Sequence, residues 1–291
     1  MALRMLVRGV GDIGSAVAHR PFLAGHVVVV HDGEQPTTTR RGMAFADAIF
    51  DGRTTLDGVE AIRVDELDAV SAILARHTVV PIVVGDFTVV LRLIAPDVLI
   101  DARMRKRDSP ETQRGLSPLT VGLGPNFVAG ETTDVVVETS WEQLGRVVTR
   151  GTALPLRGEP RAIVGHGRDR YVYAPVASTL FTAYTIGQQV AAGEIIAQID
   201  VTSMTAPLSG VLRGLTHDGV LVAAGTKVIE IAPRGLPTAY CARSPRSRGR
   251  CHSTDACKGR ACLRAVGLHN VCLLWEMRSA LSHDDDDDRR Q

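Results

Sequence analysis

The sequence predicts an α/β fold: a Rossmann-like parallel sheet domain, then a small all-β lipoyl/biotinyl-like barrel-sandwich domain and a disordered tail. Three observations carry this expectation. Gly9-Val10-Gly11-Asp12-Ile13-Gly14 follows an apolar segment and precedes a helix-like one. Residues 174–199 recur as 206–231 without a gap. Beyond Gly235, apolar periodicity gives way to Cys, Arg, Ser and His.

Residues 3–8 read as a strand and Ser15–Ala24 as a helix, with Pro21 as an anomaly because it has no N–H to donate. Val27–Val30 is a run of β-branched residues, the pattern of a buried parallel strand. Together these form a βαβ unit. Asp65–Arg76 reads as a helix with Leu67, Val70, Ile73 and Leu74 on one face. Val79–Val84, Val98–Asp101, Leu119–Leu123 and Val135–Val137 read as further strands. This alternation places helices over a sheet across residues 1–150. A segment rich in Gly, Pro and Arg, residues 151–169, reads as a linker.

Residues 170–234 form the β unit. Ala174-Pro175 matches Ala206-Pro207, and Val190-Ala191-Ala192-Gly193 matches Val222-Ala223-Ala224-Gly225. Short strands between glycine turns fit each copy, and two copies related by a pseudo-twofold suggest a barrel-sandwich. Biotin or lipoate is not expected, because the junction Asp200–Thr205 has no lysine and Lys227 lies inside the second copy. Residues 235–291 are expected to be disordered, or to be an out-of-frame tail.

Composition excludes some partners. A net charge of +1 creates no global field for nucleic acid, and 4% aromatic content leaves little for base stacking. No run of about 18 apolar residues predicts a membrane span. Residues 1–10 lack the layout of a signal peptide, so a cytoplasmic location is expected.

The glycine motif carries the clearest chemistry. Gly9 permits a tight turn, Gly11 lets backbone approach a phosphate, and Gly14 lets the helix pack closely. A helix N-terminus offers N–H groups to an anion. Asp32 ends the second strand, where a ribose hydroxyl could be held, while Asp12 is either a helix cap or a charge that opposes phosphate. Arg103–Arg107, with Lys106 and Arg107, follows another strand, as do Gly122 and Gly124. The cofactor-binding candidates are therefore Gly9, Gly11, Asp12, Gly14, Asp32, Lys106, Arg107, Gly122 and Gly124. Glu138 is a rim or capping candidate. The five cysteines, all after residue 240, show no C-x2-C spacing, so no metal site is expected. No catalytic residue is nominated, and whether the chain is an enzyme stays open.

Several segments in order resemble a known family. They are Arg8–Gly14, Glu34-Gln35-Pro36 with Arg40-Arg41, and Met104–Arg107. Gly122–Pro125, Val137-Glu138-Thr139, Leu144–Val147 and Ser209–Gly214 continue the series. Together they resemble the YqeB-type accessory proteins of the selenium-dependent molybdenum hydroxylase system, over roughly residues 4–235. Pro21, Asn126 and the Ser140–Gln143 segment depart from that family's pattern. The resemblance implies an accessory or maturation protein for a xanthine dehydrogenase-like hydroxylase. It implies binding of molybdenum cofactor or a nucleotide, with the hydroxylase apoprotein or its maturation factors as partners. The alternative, resting on the glycine motif and Asp32, is an NAD(P)-dependent oxidoreductase.

Overall fold

The computed structural model describes residues 2–105, 109–140, 142–155, 160 and 162–234. The expected tail, 235–291, lies outside the described residues, as do Lys106 and Arg107.

The first part is built on one nine-stranded sheet. Its strands are β1 (Arg4–Arg8), β2 (Val27–Asp32), β3 (Arg53–Leu56), β4 (Val59–Val64), β5 (Val80–Val84), β6 (Val98–Asp101) and β7 (Leu119–Leu123). A short β8 (Val128–Ala129) stands outside that sheet, which β9 (Val135–Val137) and β10 (Val147–Val148) complete. A small ribbon pairs β8 with β11 (Gly151–Thr152). The order in the large sheet is β10-β9-β7-β6-β1-β2-β5-β4-β3.

Side-chain alternation along β1 sets the layers. Met5 and Val7 point to the face covered by helices α1 (Asp12–Leu23) and α2 (Asp47–Asp51), where Val17, Ala18 and Ile49 pack. Leu6 points to the other face, against α3 (Val70–Arg76) and α4 (Phe87–Ile94) through Val70, Val90 and Ile94. Pro21 is accommodated because α1 ends two residues later, and Pro21 O then accepts from His26 N at 2.9 Å. No helix among the described residues is long and apolar enough to cross a membrane.

The later strands are β12 (Tyr171–Tyr173), β13 (Ser178–Phe181), β14 (Gln189–Val190), β15 (Ile195–Ile199) and β16 (Thr202–Thr205). They continue as β17 (Gly210–Leu215), β18 (Leu221–Val222) and β19 (Lys227–Pro233). They form two four-stranded sheets, β12-β19-β17-β14 and β16-β15-β13-β18. β13 pairs with β15, and β17 with β19. The copies also exchange strands: β13 pairs with β18 and β14 with β17.

This architecture corrects the expected fold class. The large sheet is mixed, not parallel: β3 runs antiparallel to β4, and β10 to β9. The β3–β4 turn, Asp57-Gly58, has φ of 47° and 86°, the tight hairpin geometry that forces antiparallel pairing. The β strands also do not stand apart like a mobile carrier. Leu215 N donates to Thr39 O at 2.8 Å, Arg41 Nε donates to Leu215 O at 2.8 Å, and Phe50 stacks on His217 with centroids 4.1 Å apart. A sequence repeat fixes strands and turns, but not how the sheets close or what they dock against.

Candidate functional site

β1 lies between β2 on one side and β6 on the other. Strand order reverses there, and the chain leaves the carboxyl ends of β1 and β6 in diverging loops. In open α/β sheets this switch point is where ligands bind.

The glycine loop fills one wall. Gly9 has φ +108° and donates its N–H to His31 O at 2.8 Å. A Cβ on Gly9 would come within 2.9 Å of Ala102 and Arg103 backbone atoms. A Cβ on Gly14 would sit 1.8 Å from Gly9 O. These two glycines are required by close backbone approach. Gly11 is different: the nearest atom to its added Cβ is Thr38 Oγ1 at 3.7 Å, an ordinary van der Waals contact, so close approach does not require a glycine there.

Two carboxylates hold the loop. Asp32 accepts from Val10 N at 2.7 Å with one oxygen and from Gly33 N at 2.8 Å with the other. Asp12 accepts from Ile13 N at 3.1 Å and pairs with Arg40 at 3.1 Å. Ser15 Oγ donates to Val10 O and accepts from Phe45 N, both at 2.8 Å, which fixes the start of α1.

The adjoining ends of β1 and β6 carry a basic cluster. Arg8, only 6% exposed, ends β1; its guanidinium lies 2.7 Å from Glu111 and stacks 3.6 Å above the Phe87 ring centroid. Arg103 pairs with Asp101 and, at 2.6 Å, with Glu111; Arg105 also pairs with Glu111. Gln113 Nε2 donates to Asp101, which is 1% exposed. Among the described residues, three guanidinium groups thus meet two carboxylates. Burial, then the charge of Arg103, lowers the Arg8 pKa. Burial would raise the Glu111 pKa, but hydrogen bonds from Arg103, Arg105 and Arg8 outweigh it and hold it well below the usual carboxylate range.

The structure brings Gly9, Gly11, Asp12, Gly14 and Asp32 together at this point. Gly124, at φ +94°, also reaches it, because its Cβ position lies 3.2 Å from Met104 sulfur in the basic loop. Gly122 does not line it: a Cβ there would come within 2.4 Å of the Phe127 ring, so this glycine serves packing. Glu138 is a loop clamp, accepting from Thr139 N, Ser140 N and Leu154 N at 2.7, 2.7 and 2.6 Å. The sequence reading missed Arg8, Asp101, Glu111 and Gln113. The available signal was a charged residue at the end of each of two apolar strands, β1 and β6. Among the described residues, Asp47, Asp51 and His217 place ligand atoms within 4.8 Å of one another. Asp47 is already paired with Arg41 at 2.6 Å, and Asp51 is exposed.

His31 also borders the site. Burial lowers its pKa, although the Gly85 carbonyl 3.0 Å from its ring opposes the shift. The fold therefore keeps His31 neutral, while an unfolded histidine takes up a proton near about pH 6.5. Its contribution is complete above that pH and drains as pH falls toward the lower folded-state pKa. Urea unfolding at pH 7.5 and 5.5 should show less pH dependence for His31→Gln than for the parent protein. Equal slopes would refute this assignment.

No family model matches the chain. Over 247 residues it is 36% identical to the "Uncharacterized protein YqeB" of Escherichia coli (strain K12), a match covering 84% of this chain. The likeness supports the YqeB family. The chain spans 45% of the length of YqeB, so what the whole of YqeB does is not carried over by the match. Solved structures similar to the chain include a succinylglutamate desuccinylase/aspartoacylase from Rhodobacter sphaeroides. It is 14% identical, covers 79% of this chain and 87% of its own, and has a TM-score of 0.22. A product-bound ectoine utilization protein EutE (DoeB) from Ruegeria pomeroyi is 14% identical, covers 80% and 85%, and has a TM-score of 0.26. Such low scores carry no argument about activity. These neighbours do not support the lipoyl/biotinyl-like barrel-sandwich expected from the repeat, and that assignment is withdrawn.

Proposed function

We propose that the chain is an accessory protein of a selenium-dependent molybdenum hydroxylase, holding molybdenum cofactor or a nucleotide as cargo at the β1–β6 switch point. The supporting observation is a juxtaposition. Gly9 of the glycine loop backs onto the Ala102 and Arg103 backbone, so the loop and the start of α1 adjoin the strand ends that carry Arg8, Arg103 and Arg105. Room for a further group at Gly11, with guanidinium groups at the adjoining strand ends, fits an anionic phosphate-bearing group. The order of motifs shared with YqeB-type accessory proteins supports the choice of system, and implies a cytoplasmic place of action.

The NAD(P)-dependent oxidoreductase reading draws less support. Asp32, its main support beside the glycine motif, spends two of its acceptor positions holding the glycine loop. His31, the nearest histidine in sequence, is bound to the Gly85 carbonyl.

Native mass spectrometry after expression in a host that makes molybdenum cofactor tests the proposal. The parent protein should carry a bound small molecule that Gly11→Val lacks, with both giving the same circular dichroism. Arg105→Ala should weaken retention, and more so at high salt, because it removes charge rather than shape. A parent that carries nothing, and takes up no added nucleotide or cofactor, would reduce the glycine loop to a packing turn.

A further inference from the structure

A second cluster lies where the β sheets meet the start of α1. Glu230 is fully buried, and four cations converge on it. Arg40 Nε lies 2.9 Å away, Arg170 2.6 Å, Arg213 2.5 Å and Lys227 3.0 Å. Arg40 also reaches Asp12, so, even with Arg213 left out, three positive charges face two negative ones among the described residues. A half-buried surplus of positive charge is unfavourable without a counter-charge.

Hydrogen-bond capacity points the same way. A carboxylate offers about four acceptor positions, whereas each guanidinium has five N–H donors and an ammonium three. Glu230 therefore cannot satisfy the cluster. Arg170, 2% exposed, has a buried Nε with no hydrogen-bond partner. The Tyr171 hydroxyl accepts from Arg170, which leaves its own proton to donate. Arg170 and Lys227 both lie against the Tyr171 ring, at 4.3 and 4.5 Å from its centroid. Two members of the cluster reach solvent: the Arg40 and Lys227 side chains are 28% and 26% exposed.

We propose that Arg40, Arg170, Lys227 and Tyr171 form a second anion site, for a phosphate-type dianion bound between the β sheets and α1. Such an anion neutralises the surplus and takes N–H donors that Glu230 cannot. It would touch Arg40, which already joins Asp12 of the glycine loop to Glu230 of β19. Burial lowers the Lys227 pKa, and the charge of Arg40 adds to this, although Glu230 opposes both. The site stands independently of the switch-point reading.

Thermal unfolding of the full chain with inorganic phosphate, against chloride at matched ionic strength, tests it. A saturable rise in Tm is expected in the parent. Lys227→Gln and Arg40→Gln should lose most of that rise, while Arg105→Gln keeps at least half. Lys227→Gln alters a rim residue, so it carries the test if Arg40→Gln does not fold. Repeating the titration with AMP distinguishes free phosphate from a phosphorylated ligand: a larger rise at equal concentration assigns the site to the ligand. The proposal is overturned by no saturable rise with either probe, by an undiminished rise in Lys227→Gln, or by a rise that Arg105→Gln alone abolishes.

Discussion

Gly14→Ala is expected to lose about 3 kcal/mol of stability or more, the upper end for forcing an extra carbon into a packed site. The new Cβ would lie 1.8 Å from Gly9 O and 2.8 Å from Gly9 C, and both are backbone atoms that cannot swing away. Gly9 is itself fixed, by its bond to His31 O and by contact with the Ala102 backbone. Relief would require α1 to lift from the sheet, exposing Val17 and Ala18. Gly11→Ala is the matched control. Its Cβ meets nothing closer than 3.7 Å, so the loss should stay within about 1 kcal/mol, the usual scale at a helix cap. Urea midpoints of the two variants check this. If Gly14→Ala unfolds with the parent, the close approach of α1 to the loop is wrong.

Glu230→Gln is expected to cost about 3–5 kcal/mol, because it removes the carboxylate on which four buried or half-buried cations converge. At roughly 2–4 °C per kcal/mol for a folded region of this size, Tm should fall on the order of 10 °C. Burial alone would raise the Glu230 pKa, but the charges of Arg40, Lys227 and Arg213 outweigh it and hold it well below the usual range. The contribution is therefore full above about pH 4.3, the ordinary glutamate value, and is lost as pH falls toward the folded-state pKa. Glu60→Gln is the contrast. Its partner Arg53 is 76% exposed, so the change should stay within about 1 kcal/mol. Calorimetry of both variants at neutral pH decides, and equal Tm values would overturn the reading of Glu230 as the hub of the joint.

The central strands were legible because β-branched runs bounded by polar residues have one outcome in a sheet covered on both faces. Val27–Val30 and Val98–Asp101 are examples. Phe87–Ile94 was not, since Phe-Thr-Val-Val-Leu reads as a strand by propensity. It is a helix because Asp86 caps it, accepting from Val89 N at 3.0 Å, and because Val90 and Ile94 fall one turn apart over the sheet. The β3–β4 hairpin has a readable signal in its Asp57-Gly58 turn. In the site, the glycine loop was visible from its spacing alone. The basic cluster was not, because Arg8, Asp101 and Glu111 meet only after parallel strands distant in sequence are paired. Arg40 was quoted only within a motif. Nothing local to it tells that its partner is Glu230, 190 residues away.

The exchange of strands between the repeat copies bears on how the chain is made. Ser178 pairs with Val222, and Gln189 with Val211, so neither copy completes a sheet from its own residues. During synthesis the first copy must wait, its β13 edge unpaired, until the last strands have left the ribosome. Pairings this distant are slow to form, and an open edge is where other chains add. The same arithmetic describes two separate chains, each with one copy, closing on each other as a homodimer. A tandem duplication would turn such an encounter between molecules into a fold within one.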